Sequence, residues 1–266
     1  MADLETLSNP DNVNLIHFSL LIARNFGVQV TRVNVTDWDV SLGAGNVMDM
    51  ILDGTDDPNI GRSYHKQLSE IIGAGDYTYF SPGNTELDER LADAAGSEDP
   101  VDIYRSRRRL SSYAIRFSSW SDDQKQCHLT GWDGMRTESA NKKTAATAKD
   151  LVEIRTREAK YANMLGRIFP ETDASRRFQK YLDIVVPQAC IWDDAWDLGV
   201  DAANGDHMVP PTLMNRIFLL RESMRNFPDF IKPIKASTSC MAGKLAISVV
   251  RNRYLRPQIL PLGSER

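Results

Sequence analysis

One stretch constrains this chain more than any other. Residues 178–206, FQKYLDIVVPQACIWDDAWDLGVDAANGD, are a long apolar helical run that empties into carboxylates. Successive helical residues turn by about 100°, so Asp193, Asp197 and Asp201 follow one another at i, i+4 and i+8 along one face. Traced backwards, that face passes through Cys190 and Val186 to Leu182, apolar first and acidic afterwards. Carboxylates at this spacing repel by a few tenths of a kcal/mol per pair, and by more where water is kept out. The pattern asks for a cation, and an oxygen-only donor set without interleaved His or Cys suits Mg²⁺ rather than zinc.

Asp193-Asp194-Ala195-Trp196-Asp197 reads DDxxD, a pattern that is also common on solvated helix ends. Two features set it apart here. The segment before it is too apolar for a surface helix, and Trp192 and Trp196 flank the carboxylates. A second acidic set lies far upstream: Asp49 and Asp53 at i, i+4 close an apolar helical segment, and Asp56 and Asp57 follow Gly54. Its ordinary reading is a helix running into a turn, although negative charge at a helix C-terminus opposes the macrodipole. Among the basic residues, Arg105 and Arg109 share one helical face, while Arg107 and Arg108 point elsewhere. Arg155, Arg157, Glu158 and Lys160 occupy a well-patterned helix, and at least one should face the carboxylates. VVRNRY near the end carries Arg251, Arg253 and Tyr254. Guanidinium groups bind diphosphate oxygens bidentately, so an arginine near a metal–carboxylate site makes chemical sense.

Helical spacing predicts segments over 12–27, 37–53, 63–72, 101–119, 144–169, 174–203, 210–224 and 238–253, with a bend at Pro187. Gly43 and Gly45 weaken the second of these or admit another backbone. VQVTRVNV alternates like a strand without a partner and reads as an extended linker or as a helix overridden by its context, and residues 121–143 read as a loop anchored by Trp132. The expectation is an all-α fold, a single-domain helical bundle with a central cavity spanning 1–266. Its termini are loose, and 73–100 forms a mobile surface segment.

A net charge of −4 leaves no global basic field for nucleic acid. No apolar run is long enough to cross a membrane. The acidic start MADLETLSNPDN does not read as a signal peptide, and the widely spaced Cys127, Cys190 and Cys240 suit a reducing compartment, so a cytoplasmic location is expected. P-loop, GxGxxG, GxSxG and HExxH patterns are absent from the sequence.

Asp49-xxx-Asp53, REAKYANML (157–165), QACIWDDAWDLGVDAANGD (188–206) and Arg253-Tyr254 together resemble the class I isoprenoid synthases. That all-α superfamily holds prenyl diphosphate synthases, squalene/phytoene synthases and terpene cyclases. The first motif is DxxxD rather than DDxxD and the Asn/Ser/Glu triad of the cyclases is absent, so the resemblance reaches no single subfamily. It implies two aspartate-rich helix ends facing each other across a bundle cavity. Asp49, Asp53, Asp193, Asp194, Asp197 and Asp201 would hold Mg²⁺. Arg105, Arg109, Arg157, Arg253, Tyr254, Trp192 and Trp196 would contact an allylic isoprenoid diphosphate, with Asp193, Asp197, Arg253 and Tyr254 catalytic. A homodimer is compatible with this reading. Two alternatives stay open: a non-catalytic helical lipid- or partner-binding protein of the same fold, and a metal-dependent phosphoester hydrolase.

Overall fold

Several of the long helices begin where a short hydroxyl or carboxylate side chain receives one of their first free N–H groups. Ser121 and Gln124 form a reciprocal capping box that opens one helix, and Thr172 and Ser175 form another. Asp99 caps a helix with Pro100 at its first position, and Thr212 caps a shorter one through Asn215 N–H. The computed structural model describes residues 19–53, 58–164 and 167–233, apart from the side chains of Asp53, Pro58 and Phe230. Helix α1 (19–25) is followed by α2 (Arg32–Asp53), α3 (Pro58–Ala74), a 3-10 turn (Tyr77–Phe80) and α4 (Thr85–Ala95). Then come α5 (Pro100–Ser118), α6 (Asp122–Lys142), α7 (Ala148–Met164), α8 (Asp173–Asn204), α9 (Leu213–Ser223) and α10 (Phe227–Ile231). Among the described residues there is no strand, and the chain is all-α.

Packing runs around the bundle in sequence. Helix α2 lies among α3, α4 and α5, α6 connects α3 to α7, and α8 packs on α7, α9 and α10. Two apolar cores result. The larger gathers Trp38, Met48, Leu110, Tyr113, Trp132 and Phe178, and the smaller gathers Leu151, Ile154, Ile191, Ala195, Leu198 and Leu219. Helix α8 serves both: Phe178, Tyr181 and Leu182 enter the first, and Ile191, Ala195 and Leu198 enter the second. Each fully buried side chain of this size stabilises by about 1.5–3 kcal/mol, so α8 is the shared wall. Its buried line differs from the expected Leu182–Val186–Cys190 stripe. Leu182 is buried, but Val186 and Cys190 are half-buried, and the inner line continues through Ile191, Asp194, Ala195 and Leu198. The left-handed Gly205, at φ 78°, ends the helix, a conformation that Cβ-bearing residues resist.

Two sequence expectations are corrected. Residues 121–143, read as a loop, form α6 and its caps. Its buried face is His128, Gly131, Trp132, Met135, Glu138, Ser139 and Lys142, helical in spacing but too polar to show an apolar stripe. The linker reading of VQVTRVNV holds only to Thr31, and Arg32–Val35 open α2, as the helical alternative has it. Gly43 and Gly45 admit side chains rather than backbone: an added Cβ would stand 3.5 Å from Arg109 and 4.0 Å from Trp132. Within 73–100 lie the 3-10 turn and α4, which buries Leu87 and Leu91. The segment 238–253 and residues 12–18 lie outside the described residues.

Helices α2 and α8 run in the same direction. Near their starts the Trp38 and Phe178 rings stand 6.1 Å apart, and about three turns later Asp49 acts electrostatically on Cys190. Both acidic segments therefore reach the same end of the bundle.

Candidate functional site

The centre of this end is an ion-pair triad between α7 and α8. Asp194 is 1% exposed. Arg155 Nε donates to its two carboxylate oxygens at 3.1 and 2.8 Å, and Nη2 donates to Oδ1 at 2.7 Å. The remaining nitrogen, Nη1, donates to Glu158 Oε2 at 2.5 Å, three residues along the same helix. Burial alone would weaken the guanidinium charge, but Glu158 and Asp194 more than offset that and hold Arg155 protonated well beyond its ordinary range. Two carboxylates and one guanidinium leave the triad with a net negative charge.

Further along α8, Asp197 and Asp201 are half-buried at i, i+4. Burial, then the charge of Asp194, raise the Asp197 carboxyl above its ordinary value. Burial also raises Asp201; Lys142 opposes it, while Asp194, Asp206 and Asp197 add to it. Lys142, at the end of α6, is 8% exposed and acts on Asp201 from outside the triad. Past Gly205 sits His207, 2% exposed, whose Nδ1 accepts from Val209 N–H at 3.2 Å. That bond assigns its ring proton to Nε2, which is buried without an acceptor among the described residues. Burial, then Lys142, lower the His207 pKa against the pull of Asp194 and Asp206, so the ring is neutral.

The first acidic motif meets this set at Cys190. Burial pushes that thiol up to about 11; Arg155 opposes the shift, and the Glu158, Asp194 and Asp49 carboxylates reinforce it. Asp49 itself is exposed on the last turns of α2. The structure thus brings Asp49, Glu158, Asp194, Asp197 and Asp201 to one end. The side chains of Asp53, Asp56 and Asp57, and all of Arg253 and Tyr254, lie outside the described residues.

The remaining sequence candidates are placed differently. Asp193 is exposed, so the buried member of the DDxxD pattern is Asp194, one residue later. Trp192 and Trp196, expected to contact an allylic diphosphate, stand 40% and 37% exposed with their rings 5.8 Å apart. Arg157 pairs with the buried Glu138 of α6 at 2.9 Å, and Arg155 is the arginine that turns to the aspartates. Arg105 pairs with Asp102 on the surface at 3.4 Å, whereas half-buried Arg109 faces Asp39 on α2. A cavity of about 880 Å³ opens at the other end of α8, between Arg116, Trp120, Ile168, Phe178 and Gln179. Helical rise puts it about 27 Å from Asp197, and no acidic-motif residue lines it.

Among the described residues, no three His, Cys, Asp or Glu side chains converge tightly enough to hold a metal ion by themselves. The donors nevertheless fit Mg²⁺ in kind. That ion is ordinarily held by one or two carboxylates, with phosphate oxygens and water completing its shell, and Asp197 and Asp201 supply such a pair. Lys142, Glu138 and His207, which sit on α6 or beyond the α8 cap, belong to no motif of the sequence. The signal for Asp194 was present: it falls between Ile191 and Leu198 at i+3 and i−4, inside the apolar line. Compared with protein-family models, with curated proteins and with solved structures, the chain finds no match in any of the three.

Proposed function

We propose that this protein is a Mg²⁺-dependent enzyme of the class I isoprenoid synthase kind, ionising an allylic prenyl diphosphate ahead of condensation or cyclisation. The observation that carries the reading is the pair Asp197 and Asp201, half-buried one helical turn apart, with burial first and neighbouring carboxylates after it raising both carboxyls. Helix α2 delivers Asp49 to the same end of the bundle, in support of a site shared by both motifs. A divalent cation relieves the repulsion that this arrangement stores.

In this reading Asp197 and Asp201 would hold the cation, with Asp49 at the same end of the bundle beside Cys190. Bound Mg²⁺ supplies charge neutralisation for the departing diphosphate. Arg155 is a positioning residue: its guanidinium is fully engaged by Asp194 and Glu158, so it fixes α7 against α8 and does not reach substrate. Lys142, close to Asp201 and without a carboxylate within ion-pair distance among the described residues, is the cation best placed to meet a diphosphate oxygen.

Hydrogen exchange with Mg²⁺ and inorganic diphosphate tests the shared site. Added together, they should protect the end of α2 and residues 193–201 in concert, since a ligand bridging two elements stabilises both. Protection of 193–201 with the end of α2 unmoved would reduce the first motif to an ordinary turn.

A further inference from the structure

Ten of the fifteen large apolar side chains that stand exposed among the described residues fall between Trp192 and Ile231. Helix α9 explains much of this concentration, because it is apolar on two sides. Its inner side buries Leu219 against Leu198 and Val209 in the smaller core. Its outer side presents Leu213 at 72% exposure, Met214 at 73%, Ile217 at 48% and, at the cap, Met224 at 44%. By helical geometry, Leu213, Ile217 and Met224 fall within a strip about 40° wide. Phe227 and Ile231 of α10 extend the exposed apolar surface at 43% and 47%.

The charge of this segment runs against that of the chain. Residues 208–232 contain Arg216, Arg221, Arg225 and Lys232 against Glu222 and Asp229, a net +2 in a chain of net −4. Arg221 shares the outer face with Met214 and Ile217 and, among the described residues, has no carboxylate partner. Arg225 and Lys232 are exposed and, among the described residues, pair with Glu222 and Asp229 at three-residue spacing. A self-complementary dimer contact would set copies of these arginines against each other. An anionic bilayer accepts both the methionine and leucine side chains and the guanidinium groups.

We propose that the outer face of α9 and α10 docks this protein on the surface of an anionic lipid bilayer, lying in the headgroup plane without crossing it. The inference goes beyond the chemistry proposed above and does not depend on it.

Co-sedimentation of the full chain with vesicles tests it, using phosphatidylcholine alone and phosphatidylcholine mixed with phosphatidylglycerol in equal parts. The protein should partition onto the mixed vesicles, less so as salt rises, and far less onto phosphatidylcholine alone. Leu213→Asp with Met214→Asp should reduce partition at least about tenfold, and Arg221→Glu by about fivefold or more, since each basic side chain near the surface contributes about that much. Both variants should keep the wild-type Tm, because the altered positions are exposed. Absence of vesicle binding, or binding unaffected by either variant, would overturn the proposal. A fall in Tm for Leu213→Asp with Met214→Asp would also overturn it, by showing that residues 234–266 cover this face. So would a dimer, seen by light scattering, that the same substitutions dissolve.

Discussion

Replacing Arg155 with Met is the most informative single change to the fold of the site. Methionine matches the arginine stem in length and removes only the guanidinium. The change strands Asp194, 1% exposed, and Glu158, 9% exposed, without the cation that both share. Removing one member of a buried ion pair destabilises by about 3–5 kcal/mol, because the remaining charge cannot regain its hydration. Asp194→Asn is milder. It leaves Arg155 bonded to Glu158 at 2.5 Å and an amide oxygen still facing the guanidinium, for a loss of about 1.5–3 kcal/mol. At about 2–4 °C per kcal/mol for chains of this size, Arg155→Met should lower Tm by about 6–20 °C. Circular dichroism melts of both variants, repeated in high salt, measure this. The loss should persist in salt, since a buried pair is poorly screened. A double variant, Arg155→Met with Asp194→Leu, should recover part of the loss by removing the stranded charge. A smaller effect of Arg155→Met than of Asp194→Asn would refute the reasoning, as it would show that the two carboxylates reach water without help.

Three further outcomes follow from named contacts. Asp197→Asn with Asp201→Asn should raise Tm at neutral pH. Carboxyls raised above 3.8 bind protons more tightly folded than unfolded, so stability falls as pH rises through their raised range and returns on acidification; the wild-type minus variant difference should shrink as pH falls, and a flat difference would oppose the account. Gly134→Ala should destabilise by about 1–3 kcal/mol by overpacking, because the new Cβ would stand 2.1 Å from the Tyr161 ring; helix propensity alone predicts a gain of about 1 kcal/mol, so the sign of the Tm change decides. The Cys190 thiol, held at about 11, should alkylate slowly at pH 8, and Asp49→Asn should speed it, as read by mass spectrometry of its peptide; an unchanged rate would separate α2 from the site.

The parts of the fold that could be read from sequence are those whose inner faces are apolar. Helix α8 was legible because its line from Phe178 to Leu198 carries helical spacing between a Thr172 cap and Gly205. Helix α6 was not, because Trp132 and Met135 are the only large apolar members of its buried face. Its remaining positions are explained by distant partners: Tyr113 hydrogen-bonds Trp132 and His128, Arg157 meets Glu138, and Tyr161 fills the space over Gly134. Local sequence holds no record of such pairings. The acidic pattern on α8 was legible as composition but not as phase. Residues one apart differ by about 100° around the helix, so the choice between Asp193 and Asp194 as the inner carboxylate rests on Arg155. The inward arginine was foreseen only as one of a group, for the same reason.

Mg²⁺-dependent departure of diphosphate from an allylic carbon is the chemistry proposed for Asp197 and Asp201. Release of inorganic diphosphate can be followed from geranyl, farnesyl and geranylgeranyl diphosphate, each with and without isopentenyl diphosphate. Release from at least one allylic substrate should require Mg²⁺, stop on chelation, and fall to background in Asp197→Asn with Asp201→Asn while that variant keeps or exceeds the wild-type Tm. Isopentenyl diphosphate alone, being homoallylic, should release none. If no allylic substrate yields Mg²⁺-dependent diphosphate, or if the folded double variant releases it at the wild-type rate, the account is contradicted.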